Sequence, residues 1–295
     1  MIYIILTSYG EPELTVKAIK SFLKQEIEDT HKIIVVDPFK ETEEVLKKEF
    51  KKGKNIEFFL DPGVGKSYAL NNVLEKIYSQ NKKEIIILSD GDVYVSEKAV
   101  GEILNTFKDE KVGCLTGRPV SLDSRNKKFG YWSHLLFEGI HKARKKLSNE
   151  NKFFECSGYL FAIRNGVLQG FPIEASEDSI IPYLFWKKGY KIKYIPKAEV
   201  YVLNNYNWKN WLSQKIRNIK GHENLNNLAP GMPRTKSFFN EIKHGWYFLF
   251  SYPKGIRELV WTFELYFARL YIYFMAFYDI KFKKKKYSDG WRGEK

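Results

Sequence analysis

Two stretches of the chain, Ile33-Ile-Val-Val36 and Ile85-Ile-Ile-Leu88, contain no polar residue. A strand with one wet face alternates apolar and polar side chains. Unbroken apolar runs of this length fit strands covered on both faces, as in a parallel sheet packed between helices. Their spacing supports that reading. Strands are expected at Ile2–Thr7, Lys32–Asp37, Ile56–Leu60 and Glu84–Ser89. Helical periodicity lies between and after them, at Glu11–Gln25, Glu41–Lys51, Lys66–Ser79 and Ser96–Lys108. Strands separated by helices of that length imply βαβ crossovers and an α/β fold, Rossmann-like, with a mostly parallel sheet and helices on both faces.

The texture then changes. Val112–Pro119 reads as a strand, Arg125–Lys146 as a basic, aromatic helical region, and Phe153–Arg164 as a strand or loop-strand. Ile180–Lys188 reads as a helix stopped by Gly189, with strands at Tyr190–Pro196 and Ala198–Val202. Beyond Asn205 the pattern is helical and aromatic, and Asn224–Pro233, rich in Asn, Gly and Pro, reads as a linker. The expected organisation is a catalytic domain over 1–223 and a helical, aromatic-rich, basic extension over 224–295.

The net charge of +14 is unevenly placed: residues 205–295 hold 17 Lys or Arg against 7 Asp or Glu, so they carry most of it. That points to an anionic partner for the C-terminal part, such as lipid headgroups, nucleic acid or a phosphorylated acceptor. Cys114 and Cys156 sit in apolar or small-residue surroundings and belong to no CxxC or zinc pattern, so two free buried thiols and a reducing compartment are expected. The start, Met1-Ile-Tyr-Ile-Ile-Leu6, goes directly into a strand without a basic n-region or cleavage site, so no signal peptide is expected.

The chemistry gathers at expected strand ends, where open parallel sheets bind ligands. The fourth strand runs into Asp90-Gly-Asp92. Carboxylates delivered there can hold a hard divalent cation, and the cation a diphosphate. The first strand ends in Thr7-Ser8-Tyr9-Gly10-Glu11 and the second in Asp37, which can accept from a ribose or a base edge or serve the next helix N-terminus. Gly63-Val-Gly65-Lys66-Ser67 is not a P-loop, because position 60 is Leu60 where that pattern needs Gly, yet Lys66 at a helix start can meet an anion. Glu177-Asp178 is a helix cap or a general base. Gln214 and Arg217 share a helix face and can grip phosphate or sugar oxygens, and His222 follows within reach of a metal.

Leu259–Ile280 is long enough to span a bilayer, but it contains Glu264 and Arg269. Each costs roughly 2.5–3.5 kcal/mol at a bilayer centre. Its five Tyr or Trp residues and the five lysines of Lys281–Lys286 favour the surface of an anionic membrane over its interior; the alternative is a packed C-terminal helix or an oligomer contact.

In order, Ile5-Leu-Thr-Ser-Tyr-Gly-Glu11, Ile34-Val-Val-Asp37, Gly65-Lys-Ser-Tyr-Ala-Leu-Asn71, Leu88-Ser-Asp-Gly-Asp92, Cys156-Ser-Gly-Tyr159, Ser176-Glu-Asp178 and Gln214-Lys-Ile-Arg217 resemble the inverting family-two glycosyltransferases of GT-A fold, over roughly residues 2–221. The resemblance implies a UDP- or GDP-sugar donor and Mg²⁺ or Mn²⁺. It implies that Thr7, Tyr9 and Glu11 surround base and ribose, that Asp37 contacts the base, and that Lys66 and Asn71 flank the nucleotide. Asp90 would meet ribose or metal, and Asp92 would coordinate the metal on the diphosphate. Gly158, Glu177, Gln214 and Arg217 would lie on the acceptor side, with Asp178 the general base. Two departures stand out. Asp37-Pro38-Phe39-Lys40 replaces the family's frequent pair of acids, which leaves base identity open. Asn218 follows Arg217 where processive synthases have Trp, which favours single-sugar transfer.

The expected activity is therefore inverting transfer of one sugar to an acceptor hydroxyl, on a glycan or lipid-linked acceptor, at the cytoplasmic face of a membrane, with no nucleic-acid partner. A sugar nucleotidyltransferase is the competing enzyme, but Thr7–Pro12 lacks the Gly-rich, Arg/Lys signature usual near the first strand of those enzymes. A non-catalytic basic membrane or nucleic-acid module is the competing non-enzyme, and the ordered acids argue against it.

Overall fold

The computed structural model describes residues 1–50, 55–204, 207–233 and 250–283, apart from the side chains of 222, 223, 226 and 227. In chain order the elements are β1 (Ile2–Thr7), α1 (Pro12–Leu23), β2 (His31–Asp37), α2 (Lys40–Glu49), β3 (Ile56–Leu60), α3 (Lys66–Ile77), β4 (Ile85–Asp90), β5 (Tyr94–Val95), α4 (Ala99–Thr106), β6 (Val112–Ser121), α5 (Lys128–Asn149), β7 (Leu160–Arg164), α6 (Glu177–Lys187), β8 (Lys191–Val202), α7 (Trp208–Leu228) and α8 (Ile256–Lys281).

The strands form one eight-stranded sheet in the order β3-β2-β1-β4-β7-β6-β8-β5. The first four are parallel, as the crossover spacing requires. β7 then runs antiparallel to both β4 and β6, β8 returns parallel to β6, and β5 closes the edge antiparallel to β8. The apolar runs behave as their composition demands. Ile33 and Val35 enter one core with α1, α2 and α4, while Ile34 and Val36 enter the other with α3 and α6. A third core, including Trp132, Trp211 and Ile272, joins α5, α7 and α8.

The structure differs from sequence expectation in four places. The expected strand Phe153–Arg164 is strand only from Leu160, because its first half turns away to meet the first turn of α6. The two strands expected around Pro196 are one, β8, with Pro196–Ala198 set out of register between Gly117↔Ile195 and Arg118↔Glu199. A bulge is where a residue without an N–H is tolerated inside a sheet. α6 begins three residues before the expected start, at Glu177. The Asn-rich stretch read as a linker is helical as far as Leu228, because Leu225 and Ala229 are buried in the second core.

Candidate active site

β1, β2 and β4 end together, and the register pairs Thr7 with Asp90 and Asp37 with Leu60. Beyond them the chain closes tightly. The Gly91 N–H donates to the Thr7 carbonyl at 2.7 Å, and a Cβ at Gly91 would stand 2.9 Å from the Ser8 Cβ and 3.1 Å from that carbonyl. Only glycine lets the β4–β5 turn lie against the end of β1, and that contact sets where Asp90 and Asp92 point. Sequence reading treated Gly91 as a spacer; the pairing that demands it lies 84 residues back along the chain.

Asp90 is half-buried. Its Oδ1 accepts from Thr7 Oγ1 at 3.3 Å and from Lys66 Nζ at 2.7 Å. Lys66, the first residue of α3, reaches this point because Gly65 before it adopts φ 150°, a region open to glycine alone. Its ammonium also meets Glu177 Oε1 at 2.6 Å, so it bridges the end of β4 and the start of α6. Burial opposes its charge; Asp90 and then Glu177 outweigh that, and the ammonium is held well above its ordinary value. Thr7, Ser89, Gly158 and Phe161 line a narrow crevice around this bridge. The crevice is filled by these side chains and leaves no room for a ligand between them.

Asp178 stands beside the bridge, half-buried. Its Oδ1 accepts from the Ser176 hydroxyl and, at 3.3 Å, from that of Ser179. Ser176 occupies the N-cap position of α6 yet makes no side-chain cap; its hydroxyl serves Asp178 instead. The Asp178 backbone carbonyl accepts from the Cys156 N–H at 2.9 Å. The buried Arg144 donates to the Glu155 carbonyl at 3.0 Å and to that of Cys156, and the Glu155 carboxylate accepts from Ser179 at 2.8 Å. Nη1 of Arg144 is buried without a protein partner. Arg144 and Glu155 thus hold the segment on which Asp178 rests, and neither belongs to a recognisable local motif. The two free thiols are buried as expected and face each other, Cys114 Sγ to Cys156 Sγ, at 3.5 Å.

Among the other candidates, Asp37 and Asn71 hydrogen-bond to protein groups. The fully buried Asp37 carboxylate accepts from the Gly10 and Phe39 N–H groups and the Thr42 hydroxyl, at 3.0, 2.8 and 3.0 Å. Here it organises the loop that carries Tyr9, whose ring meets Phe39 edge-on at 5.1 Å. Asn71 pairs both polar atoms with the Phe171 backbone, at 2.8 and 2.9 Å. Glu11 is half-buried at the N-cap of α1. Gln214 and Arg217 are half-buried on α7, and Asn224 of α7 donates to the Glu174 carbonyl at 2.7 Å, tying that helix to the loop before α6. His222 lies on α7, with its side chain outside the described residues.

The residues suit a divalent cation shared with a substrate. Among the described residues no group of three or more His, Cys, Asp or Glu is placed to hold a metal. Asp92 is half-buried between β4 and β5, beside Tyr94, whose phenol is pushed up by burial and then by the Asp92 charge. One or two carboxylates plus substrate phosphates and water are what Mg²⁺ accepts.

A mostly parallel eight-stranded sheet with carboxylates and a lysine gathered beyond its strand ends is an α/β fold of GT-A type. Residues 1–221 match the family described as "Glycosyltransferase like family 2", and the chain belongs to it. Among solved structures, a mannosyltransferase from Pyrobaculum calidifontis, in complex with GDP-Man and Mn²⁺, superposes with a TM-score of 0.58 at 16% identity, covering 96% of this chain and 81% of that one. TarS of S. aureus gives 0.52 at 15% identity over 86% of this chain and 44% of that one. TarS residues 1–349 with UDP-GlcNAc give 0.51 at 14% identity, over 76% and 66%. At such identities the likeness is one of fold. No curated protein matches the chain.

Proposed function

We propose that this chain moves a single sugar from a UDP- or GDP-sugar to an acceptor hydroxyl, with inversion, using Asp178 as general base. The observation that supports the reading is the Asp90–Lys66–Glu177 bridge, with Asp178 one residue further on: carboxylates proposed for the donor and the acceptor side lie on elements joined by one lysine. The acceptor oxygen forms its bond to the anomeric carbon as Asp178 takes its proton. The bond from that carbon to the diphosphate breaks on the opposite face, and the nucleoside diphosphate leaves with the electron pair. Asp178 suits the role because the Ser176 and Ser179 hydroxyls orient it. Glu177 is buried and neutralised by Lys66, which suits a structural carboxylate. Asp92, with help from Asp90 and His222, would hold Mg²⁺ or Mn²⁺, which supplies Lewis-acid neutralisation of the leaving diphosphate. Thr7, Tyr9 and Glu11 would surround the nucleoside, and Gly158, Gln214 and Arg217 the acceptor.

The acceptor in this proposal is a glycan or lipid-linked sugar met at the cytoplasmic face of a membrane, a placement supported by the basic C-terminal part. Titration calorimetry with UDP-GlcNAc and GDP-mannose in Mn²⁺ tests the division of labour. Asp178→Asn is expected to bind donor as wild type does while losing transfer. Asp92→Ala is expected to lose the metal-dependent part of donor binding. Wild-type turnover by Asp178→Asn would remove the base assignment, and metal-dependent donor affinity for Asp92→Ala equal to that of the wild type, or wild-type donor affinity that EDTA leaves unmoved, would remove the metal role.

A further inference from the structure

α8 is apolar on both sides, and among the described residues only one side packs into a core. Thr262, Leu265, Ala268, Ile272 and Ala276 pack inward against α5 and α7. The outward side carries Phe263, Phe267, Leu270, Phe274 and Phe277 at alternating spacings of four and three, all exposed, Phe267 to 69% and Phe274 to 63%. A helix apolar all round belongs inside protein or in lipid. The stripe spans 15 residues, Phe263 to Phe277, or about 21 Å at 1.5 Å per step.

The helix is pinned lengthwise. Near its start Glu258 takes both ends of the Arg125 fork at 2.8 Å, and near its end Asp279 pairs with Lys220. Spanning a bilayer would break both attachments, and no described helix is long and apolar enough to cross a membrane. Arg125 and the start of α5 follow β6, and α7 follows β8; both strands run parallel to β4, so α8 is stacked on helices that leave the sheet at the catalytic end.

We infer that the outward face of α8 lies in the plane of an anionic bilayer and docks the catalytic cleft against it. Charge complementarity selects this occupant. Residues 205–295 hold most of the +14 charge. The exposed Lys281 and Lys283 stand over the Phe277 and Tyr278 rings at the end of the stripe. The one acid on the exposed side, Glu264, is met by Lys128 at 3.3 Å. A second copy of the chain is disfavoured by the same residues: two-stranded seams take Leu, Ile and Val knobs flanked by complementary charges, whereas rings beside lysines suit the headgroup region. The inference deepens the proposed function by stating how the cleft meets a membrane-borne acceptor, and it rests on that reading only for the acceptor.

The experiment is flotation of the full chain with phosphatidylglycerol-containing and pure phosphatidylcholine vesicles, without nucleotide sugar. Wild type is expected to float with the anionic vesicles. Phe267→Ser/Phe274→Ser, altered at exposed positions, is expected to partition at least about tenfold less, with unchanged melting temperature. Lys281→Glu/Lys283→Glu is expected to lose about fivefold per lysine removed. Equal flotation of the phenylalanine variant, or none by wild type, overturns the inference. So does a wild-type dimer in vesicle-free light scattering that the same variant splits, since the face then belongs to a second copy. Because donor is absent, these outcomes are independent of whether the chain transfers sugar; donor calorimetry on the variant reports that separately.

Discussion

Replacing Lys66 by Met removes the ammonium that meets both the buried Glu177 and the half-buried Asp90. Side-chain exposures of 7% for Glu177 and 26% for Asp90 place most of the penalty on Glu177. Removing one member of a buried pair costs about 3–5 kcal/mol, while the exposed half contributes under about 1 kcal/mol. Taking about 3 kcal/mol, and about 2 °C per kcal/mol for a chain of this size, the variant should melt about 6 °C below wild type at pH 8. The loss should depend on pH. A buried carboxylate that has lost its lysine binds a proton more readily than an unfolded one, so the penalty is full at pH 8 and shrinks as pH falls toward 4.5. In the wild type the sign is carried by Lys66. Its raised value gives stability that is present below the unfolded lysine value, about 10.4, and is lost only as pH rises through the folded one. Glu177→Gln on the Lys66→Met background should recover at least half of the loss. Scanning calorimetry at pH 4.5 and pH 8 on the four members of this cycle is the assay. Equal loss at both pH values, or no recovery in the double variant, refutes the reasoning.

Gly91→Ala should cost about 1–3 kcal/mol and weaken donor binding, because its Cβ forces the β4–β5 turn off β1; a wild-type melting curve would contradict the close approach. Glu258 is held at about 2 by the hydrogen bonds from Arg125, against the opposing effect of burial and with help from the Lys254 N–H. Its pairing therefore stabilises the α8 junction above the unfolded glutamate value and is lost as pH falls from about 4.3 toward about 2. Limited proteolysis by pepsin should cut near residue 255 increasingly over that window, and Glu258→Gln should flatten the dependence.

The parallel half of the sheet was legible because each strand carries its own evidence: an apolar run, a helix of crossover length, and polar residues at the end. The same logic brought Asp90, Lys66 and Glu177-Asp178 to notice as separate local signals. Their union was not legible, since an ion bridge between residues 66, 90 and 177 is fixed by the antiparallel insertion of β7 beside β4, which no local pattern announces. Arg144 escaped notice in a basic helix because its burial is tertiary, whereas its neighbours Lys145 and Lys146 are solvated. Asp37 and Asn71 show the reverse. Both stand where a nucleotide was expected, and both have their hydrogen bonds taken up by backbone and hydroxyl groups of neighbouring loops.

The central claim is that a nucleotide sugar is cleaved between its anomeric carbon and its diphosphate, with Asp178 accepting the proton. Phosphorus NMR of UDP-GlcNAc and GDP-mannose incubated with the protein and Mn²⁺, in the presence of membrane-extracted acceptors, tests it most directly. The account expects free nucleoside diphosphate from the wild type and none above background from Asp178→Asn. Pyrophosphate or nucleoside monophosphate as the product, or equal nucleoside diphosphate from both proteins, would contradict it.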